Sequence, residues 1–206
     1  MARIDHAVIS GTFSLDGQTF DVANNVWVIG DDTECVVIDA PHNVADILTV
    51  VGHRKVNAVL CTHAHDDHVR VAPDLGRTVQ APVLLHPADL SVWQLTHDHP
   101  PDGELADGQQ IPVADTALQV IHTPGHAPGA VCFYSPDLGV VFTGDTLFNG
   151  GPGATGRSFS DYEVIVHSIN ERLLVLPEET VVKTGHGEDT TIAQERESIL
   201  AAGDVA

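Results

Sequence analysis

Positive charge is scarce in this chain. Only 9 residues in 206 are Lys or Arg, against 29 Asp or Glu, leaving a formal net charge of −20. A surface of that sign repels phosphate backbones and anionic lipid, so nucleic acid and membrane are poor partners and a small-molecule substrate is expected. No apolar run approaches the roughly 20 residues of a membrane span. The start, Met1-Ala-Arg-Ile-Asp-His6, lacks the apolar stretch of a signal peptide, which predicts a cytoplasmic location. Cysteine is sparse too: Cys35, Cys61 and Cys132 each sit inside an apolar, strand-like run. An odd number of core thiols suits a reducing compartment, not a disulfide framework. No linker or low-complexity segment divides the chain, so one domain over residues 1–206 is expected. No motif for a Ser or Cys nucleophile is present.

Short apolar runs and periodic stretches interleave along the chain. Val26–Ile29 and Cys35–Ile38 read as two strands around Gly30-Asp31-Asp32. Asn43 can cap a helix carrying Val44, Ile47, Leu48 and Val51 on one face. A buried strand follows at Val56–Cys61, then a helix from Val69 to Leu75, a strand at Pro82–Leu85 and a short helix from Ala88 to Leu95. The Pro-, Asp- and Gly-rich segment from Thr96 to Gln110 reads as a solvated loop and a candidate lid, its His97-Asp98-His99 included. Strands resume at Leu118–Ile121, Val131–Tyr134, Val140–Thr143 and Thr180–Lys183. Ser160-Asp-Tyr-Glu163 has the form of a capping box before a helix, and Thr191-Ile-Ala-Gln194 opens the final one.

What the chain does have is histidine, and it is concentrated. His63-Ala-His65-Asp66-Asp67-His68 follows directly on the strand ending at Cys61. In extended chain His63 and His65 point the same way, because side chains alternate with period two. Asp67 and His68 can turn toward a second point nearby. Imidazole and carboxylate are ligands for zinc, iron or manganese, so one loop offers half-shells for two ions. Three more strand ends add one such side chain each: Thr123-Pro-Gly-His126, Thr143-Gly-Asp145 and Thr184-Gly-His186. Each is weak alone; together with the opening cluster they form a metal-binding constellation.

These four segments, in this order, resemble the metallo-β-lactamase superfamily, and within it the short bacterial relatives of hydroxyacylglutathione hydrolase (glyoxalase II). The resemblance runs from about Asn25 to about Leu200. It implies an α+β fold, a four-layer αβ/βα sandwich of two mixed sheets flanked by helices, with the metals at one edge. By that resemblance His63, His65 and His126 hold a first metal, Asp67, His68 and His186 a second, and Asp145 bridges them. Two divalent ions are implied, zinc first, with iron or manganese as alternatives. Ions about 3.5–4 Å apart can share a water and present it as a nucleophilic hydroxide, with Asp67 orienting it and relaying its proton. The implied activity is hydrolysis of a thioester of a small thiol. The alternatives are a mononuclear-iron persulfide dioxygenase using His63, His126 and Asp145, or hydrolysis of a lactone or other ester. A homo-oligomer is left open.

The chain departs from that pattern in places. It ends about ten residues into its final helix, without the C-terminal helical extension of the glyoxalase II enzymes. Val69-Arg70-Val71 replaces the small residues that often follow the opening motif; Arg70 is expected to be solvated. Arg157, in a glycine-rich loop, either forks a substrate carboxylate or pairs with Asp161. Asp39 resembles a family position that braces ligand loops through hydrogen bonds. Trp27, Trp93 and Phe148 read as core residues, and His6, His42, His53, His86, His122 and His167 as structural or surface residues.

Overall fold

The computed structural model describes residues 1–203. Its first half is a six-stranded sheet: β1 (Arg3–Leu15), β2 (Gln18–Gly30), β3 (Glu34–Ile38), β4 (Lys55–Leu60), β5 (Val83–Leu85) and β6 (Gly103–Glu104), side by side in that order. The first three strands pair antiparallel and β3 to β6 run parallel. The second half builds another sheet from β7 (Gln110–Val113), β8 (Thr116–His122), β9 (Val131–Ser135) and β10 (Val140–Gly144). After the small ribbon of β11 (Leu147–Phe148) and β12 (Gly151–Pro152), β13 (Val181–Thr184) and β14 (Thr190–Thr191) complete that sheet in the order β14-β13-β10-β9-β8-β7. Only the β10–β13 pairing in it is parallel, so both sheets are mixed.

Side-chain alternation fixes the layering. Trp27, Ile29, Val36, Ile38 and Leu60 point from the first sheet into a core shared with Val120, Val131, Phe133 and Phe142 of the second. Their neighbours Val26, Val28, Cys35, Val37 and Val59 face the other way, toward Ile47, Val51, Leu75 and Trp93 of the helices α1 (Val44–Val51), α2 (Asp66–Val69), α3 (Ala72–Val79) and α4 (Leu90–Trp93). On the second sheet Ile121, Cys132, Val141 and Val182 face Ile165, Ile169 and Ile192, from α5 (Tyr162–Ser168), the π-turn that follows it, and α6 (Ile192–Gly203). Strands buried on both faces read as continuous apolar runs, which is why their ends stand out in the sequence. The result is helix, sheet, sheet, helix: the four-layer α+β sandwich.

Several local expectations change. The strand expected at Val26–Ile29 is the end of a 13-residue strand, the second arm of a long hairpin with β1. Its two-residue turn is Asp16-Gly17, both at positive φ (53° and 73°), the backbone that an Asp-Gly turn supplies. The helix expected at 69–75 is two pieces, α2 and α3, because Pro73 sits in the first turn of a new helix and cannot continue an old one. The expected helix at 88–95 is a 3₁₀ turn, Pro87–Asp89, running into the four-residue α4. The capping box is also displaced by one residue. Asp161, not Ser160, caps α5 by accepting from Val164 N–H (3.0 Å). Asn43 caps α1 as expected, accepting from Ala45 N–H (2.9 Å).

Candidate metal centre

Four strand ends, those of β4, β8, β10 and β13, deliver the seven expected side chains to one rim of the sandwich. One imidazole nitrogen each of His63, His65 and His126 converges: His65 Nδ1 lies 3.0 Å from both His63 Nε2 and His126 Nε2. Asp67, His68 and His186 form an adjacent set, with His68 Nε2 3.2 Å from His186 Nε2 and Asp67 Oδ2 3.3 Å from His186 Nε2. Asp145 stands between the two sets. Its Oδ1 is 3.2 Å from His68 Nε2, and its Oδ2 is 3.6 Å from His126 Nε2 and 3.4 Å from His186 Nε2.

The outer nitrogens reveal what the inner ones offer. His126 Nδ1–H donates to Ala154 O (2.8 Å), His186 Nδ1–H to Ala23 O (2.8 Å), His68 Nδ1–H to Asp39 Oδ2 (2.7 Å) and His63 Nδ1–H to Thr62 Oγ1 (3.1 Å). Each such bond fixes the tautomer of the neutral ring, whose inner nitrogen then carries a lone pair; at His68 and His186 the neighbouring carboxylates favour a proton on that nitrogen, the place that a bound cation would take. Lone pairs at 3.0 Å, with Asp145 Oδ1 buried and lacking a hydrogen-bond donor, repel one another unless a cation lies between them. The residues therefore fit divalent ions.

The electrostatics divides the two sets. Burial holds His63 and His126 below the ordinary imidazole value and pushes His65 down to about 3. Those three are neutral ligands at pH 7. At His186 burial works in the same direction, but the carboxylates of Asp145 and Asp67 outweigh it and raise the imidazole to about 10. The reciprocal effect keeps Asp67 ionised: burial opposes it, yet His68 and His186 hold its carboxyl at about 2.

The scaffold around the ligands is polar, buried and continuous. Asp39 is 2% exposed and sits at φ 62°, a left-handed conformation costly for a residue other than glycine. It accepts from Thr62 N–H (2.8 Å), Thr62 Oγ1–H (2.8 Å) and His68 Nδ1–H, so one carboxylate reaches both sets, one of them through Thr62. At Gly185 a Cβ would collide with the Asp145 carboxylate and the His68 ring, which is why glycine precedes His186.

Four contributors carry no motif. Asn24, fully buried on β2, donates from Nδ2 to Asp67 Oδ2 (3.0 Å) and accepts on Oδ1 from His42 Nε2–H (2.8 Å). His42 thus belongs to the site's support rather than the surface. Asn25 donates to Thr184 O and Gly187 O (both 3.0 Å), clamping the loop that carries His186. Asp89, 0% exposed, accepts from Ala64 N–H (2.7 Å) and Gly129 N–H (2.5 Å), joining the loops of His65 and His126. The sequence trace of the β2 pair is Asn24-Asn25 interrupting the apolar run from Val22 to Ile29.

A cavity of about 380 Å³ opens on the cluster. Phe13, Phe20 and Val22 of the hairpin wall one side, Arg157, Ser158 and Ser160 another, and His65, Asp67, His126, Asp145 and His186 form its polar floor. The loop at 96–110 contributes none of these residues. Instead His97 Nε2–H donates to Val69 O (2.9 Å), and Trp93 Nε1–H donates to His99 O (2.7 Å), because a buried indole needs an acceptor. Arg70 is only partly exposed: it bonds Thr12 and Asp66 and ties β1 to the metal-type loop. Trp27 and Trp93 are core residues, whereas Phe148 stands half-buried with its ring 6.1 Å from His186. Arg157 makes no ion pair with Asp161.

Known proteins share this fold. Residues 19–186 match the model of the metallo-β-lactamase superfamily. A probable metallo-hydrolase of Bacillus subtilis, YqgX, is 33% identical over 85% of this chain and 90% of its own. Hydroxyacylglutathione hydrolase of Aeromonas salmonicida is 33% identical over 79% of this chain and 61% of its own length. Among solved structures, the BLEG-1 B3 metallo-β-lactamase superposes with a TM-score of 0.78 at 30% identity, over 92% of this chain and 97% of that one. TTHA1623 in a di-iron-bound form gives 0.75 at 32%, over 93% and 98%. With the fold, the His/Asp cluster and these likenesses together, the chain belongs to the metallo-β-lactamase superfamily.

Proposed function

We propose that this protein is a dinuclear metal-dependent hydrolase of thioesters of a small thiol. The observation that carries the proposal is the convergence of lone pairs from two complete ligand sets on a shared carboxylate, Asp145, at the floor of a cavity with an apolar wall. His63, His65 and His126 would hold one ion, Asp67, His68 and His186 the other, and Asp145 both. When bound, the ions supply Lewis acidity to a substrate carbonyl and to a water molecule.

The chain's own residues do the rest. Asp67, a buried carboxylate, offers an oxygen to hold the proton released from an attacking water. Asn24 Nδ2–H fixes the orientation of that oxygen, and His42 fixes Asn24. Phe13, Phe20 and Val22 exclude water from the side where an acyl or thiol stem lies, which strengthens every electrostatic contact at the floor.

The hydrolase from Aeromonas salmonicida supports a thioester as substrate, and the di-iron form of TTHA1623 supports iron beside zinc as the resident metal. Against a single-iron dioxygenase centred on His63, His126 and Asp145 stands the second set, which that chemistry leaves unused. A panel of thioesters, a lactone and a penicillin, assayed on protein of measured metal content, tests the reading. Thioester cleavage that falls at least a hundredfold in Asp67→Ala is expected; preference for the lactone or the penicillin, or full turnover by Asp67→Ala, would sink it.

A further inference from the structure

His6, near the start of β1, meets two side chains of β2 that hold the loop of His186. The two strands pair with His6 opposite Trp27. Asn25, two residues before Trp27, points to the same face because strand side chains alternate. His6 reaches both. Its ring stacks on the Trp27 indole, with 4.1 Å between centroids and 16° between planes. Its Nε2–H donates to Asn25 Oδ1 (2.9 Å).

Each carbonyl of the loop Thr184-Gly185-His186-Gly187 is taken. Thr184 O accepts from Asn25 Nδ2–H and from Trp27 Nε1–H, both at 3.0 Å. Gly185 O accepts from Asn25 N–H (2.8 Å), Gly187 O from Asn25 Nδ2–H (3.0 Å) and His186 O from Thr184 Oγ1–H (2.7 Å). Asn25 thus serves three of the four. Its two amide hydrogens are both spent on carbonyls, which fixes Oδ1 as an acceptor turned toward β1. Asn25 is 2% exposed, and among the described residues its Oδ1 receives His6 Nε2–H. Without that donor a buried acceptor is stranded, and the amide must turn or shift and release the carbonyls it holds.

We infer that His6 is a positioning residue for the second ligand set: acting through Asn25, it holds the loop of His186 and so the aim of His186 Nε2 at Asp67 and Asp145. That nitrogen lies 3.3 Å from Asp67 Oδ2 and 3.4 Å from Asp145 Oδ2, so a small shift of the loop is felt there. His63, His65 and His126 stand on other loops, which confines the effect to one set. The ion held there rests on the dinuclear reading above; the hold on the loop stands on the hydrogen bonds alone. The hydrogen bond, not the stack, carries that hold, and this has a consequence. His6 is exposed, so in His6→Ala a water can reach Asn25 Oδ1. In His6→Phe the new ring keeps the stack on Trp27 and bars water, which strands the acceptor. Phenylalanine is therefore the more damaging replacement, the reverse of what a packing role gives.

Amide exchange and metal titration test this. In hydrogen–deuterium exchange of the metal-free proteins, the segment carrying His186 should exchange about fivefold faster in His6→Phe than in the parent, and less so in His6→Ala. His6→Gln, whose amide N–H can reach Asn25 Oδ1 without a stack, should exchange as the parent does. The segment carrying His126 should not change. In titration with cobalt(II), followed by absorption and by competition with a chelator, one of the two dissociation constants should rise about tenfold in His6→Phe and return in His6→Gln, with the other constant unmoved. The assignment is overturned by unchanged exchange in His6→Phe, by a larger effect of alanine than of phenylalanine, by no recovery in His6→Gln, or by two ion affinities that stay the same or fall together. A parent chain that takes up a single cobalt ion sinks the dinuclear reading instead, and the exchange experiment still decides whether His6 holds the loop.

Discussion

Replacing Asp39 by Asn isolates what one buried carboxylate does for both ligand sets. Asn tolerates the left-handed backbone of this position (φ 62°), so the change is confined to the side chain. Asp39 takes three donors, Thr62 N–H at 2.8 Å, Thr62 Oγ1–H at 2.8 Å and His68 Nδ1–H at 2.7 Å. An amide has one acceptor oxygen, so in either orientation its NH₂ faces a buried donor. An unpaired buried donor costs about 1–3 kcal/mol, and the lost ionic character of the bond to His68 adds to that. The variant without metal should therefore unfold in urea with a free energy lower by about 2–4 kcal/mol. Freed of its anchor, the His68 imidazole no longer keeps its lone pair aimed inward, and metal affinity should fall about 10- to 100-fold. Competition with a chromophoric chelator measures the second quantity. A stability loss below about 0.5 kcal/mol together with unchanged metal affinity would refute the view that Asp39 organises the site.

Two other substitutions probe the supports that carry no motif. Asn24→Ala removes the donor to Asp67 Oδ2 and strands His42 Nε2; kcat for a cleaved thioester should drop about tenfold with KM nearly constant, since the loss falls on the group that holds the proton. Asp89→Asn has a pH signature. Burial lifts the Asp89 carboxyl to about 6, against the pull of its two backbone donors, so the folded state retains a proton that the unfolded state loses above about 3.8. Its contribution is full below pH 4 and is lost as pH rises through 6, a decline of up to about 3 kcal/mol. The deficit of Asp89→Asn relative to the parent should therefore be larger at pH 4.5 than at pH 7 in urea unfolding of the metal-free proteins; a deficit independent of pH would contradict this.

The ligand-type residues after β4 and β10 are legible in the sequence because the apolar ends of those buried strands mark where the loops begin; β8 and β13 are interrupted by Gln119 and Lys183, and His126 and His186 stand out instead by the glycine before each. The hairpin is not legible: β1 is an edge strand half exposed along most of its length, so its apolar residues show no clean alternation. Asp16-Gly17 is the turn signal in this stretch, and the strands on either side of it are too exposed to show a period. Missing the hairpin hides the cavity's aromatic wall and gives the loop at 96–110 a role that falls to β1 and β2. Asn24, His42 and Asp89 are illegible for another reason: each matters only through tertiary hydrogen bonds to chain 18 to 43 residues away. The alternative of an Arg157–Asp161 pair is not formed. Because Asp161 is the cap and Ser160 closes the arginine loop, the guanidinium is left without a carboxylate.

The most direct test of the dinuclear account is the metal content of the purified protein, determined by elemental analysis alongside protein concentration, for the parent chain and for His186→Ala. Two ions per parent chain, falling to about one in His186→Ala with the loss of thioester cleavage, is the predicted result. One ion per parent chain, unchanged in the variant, would contradict it.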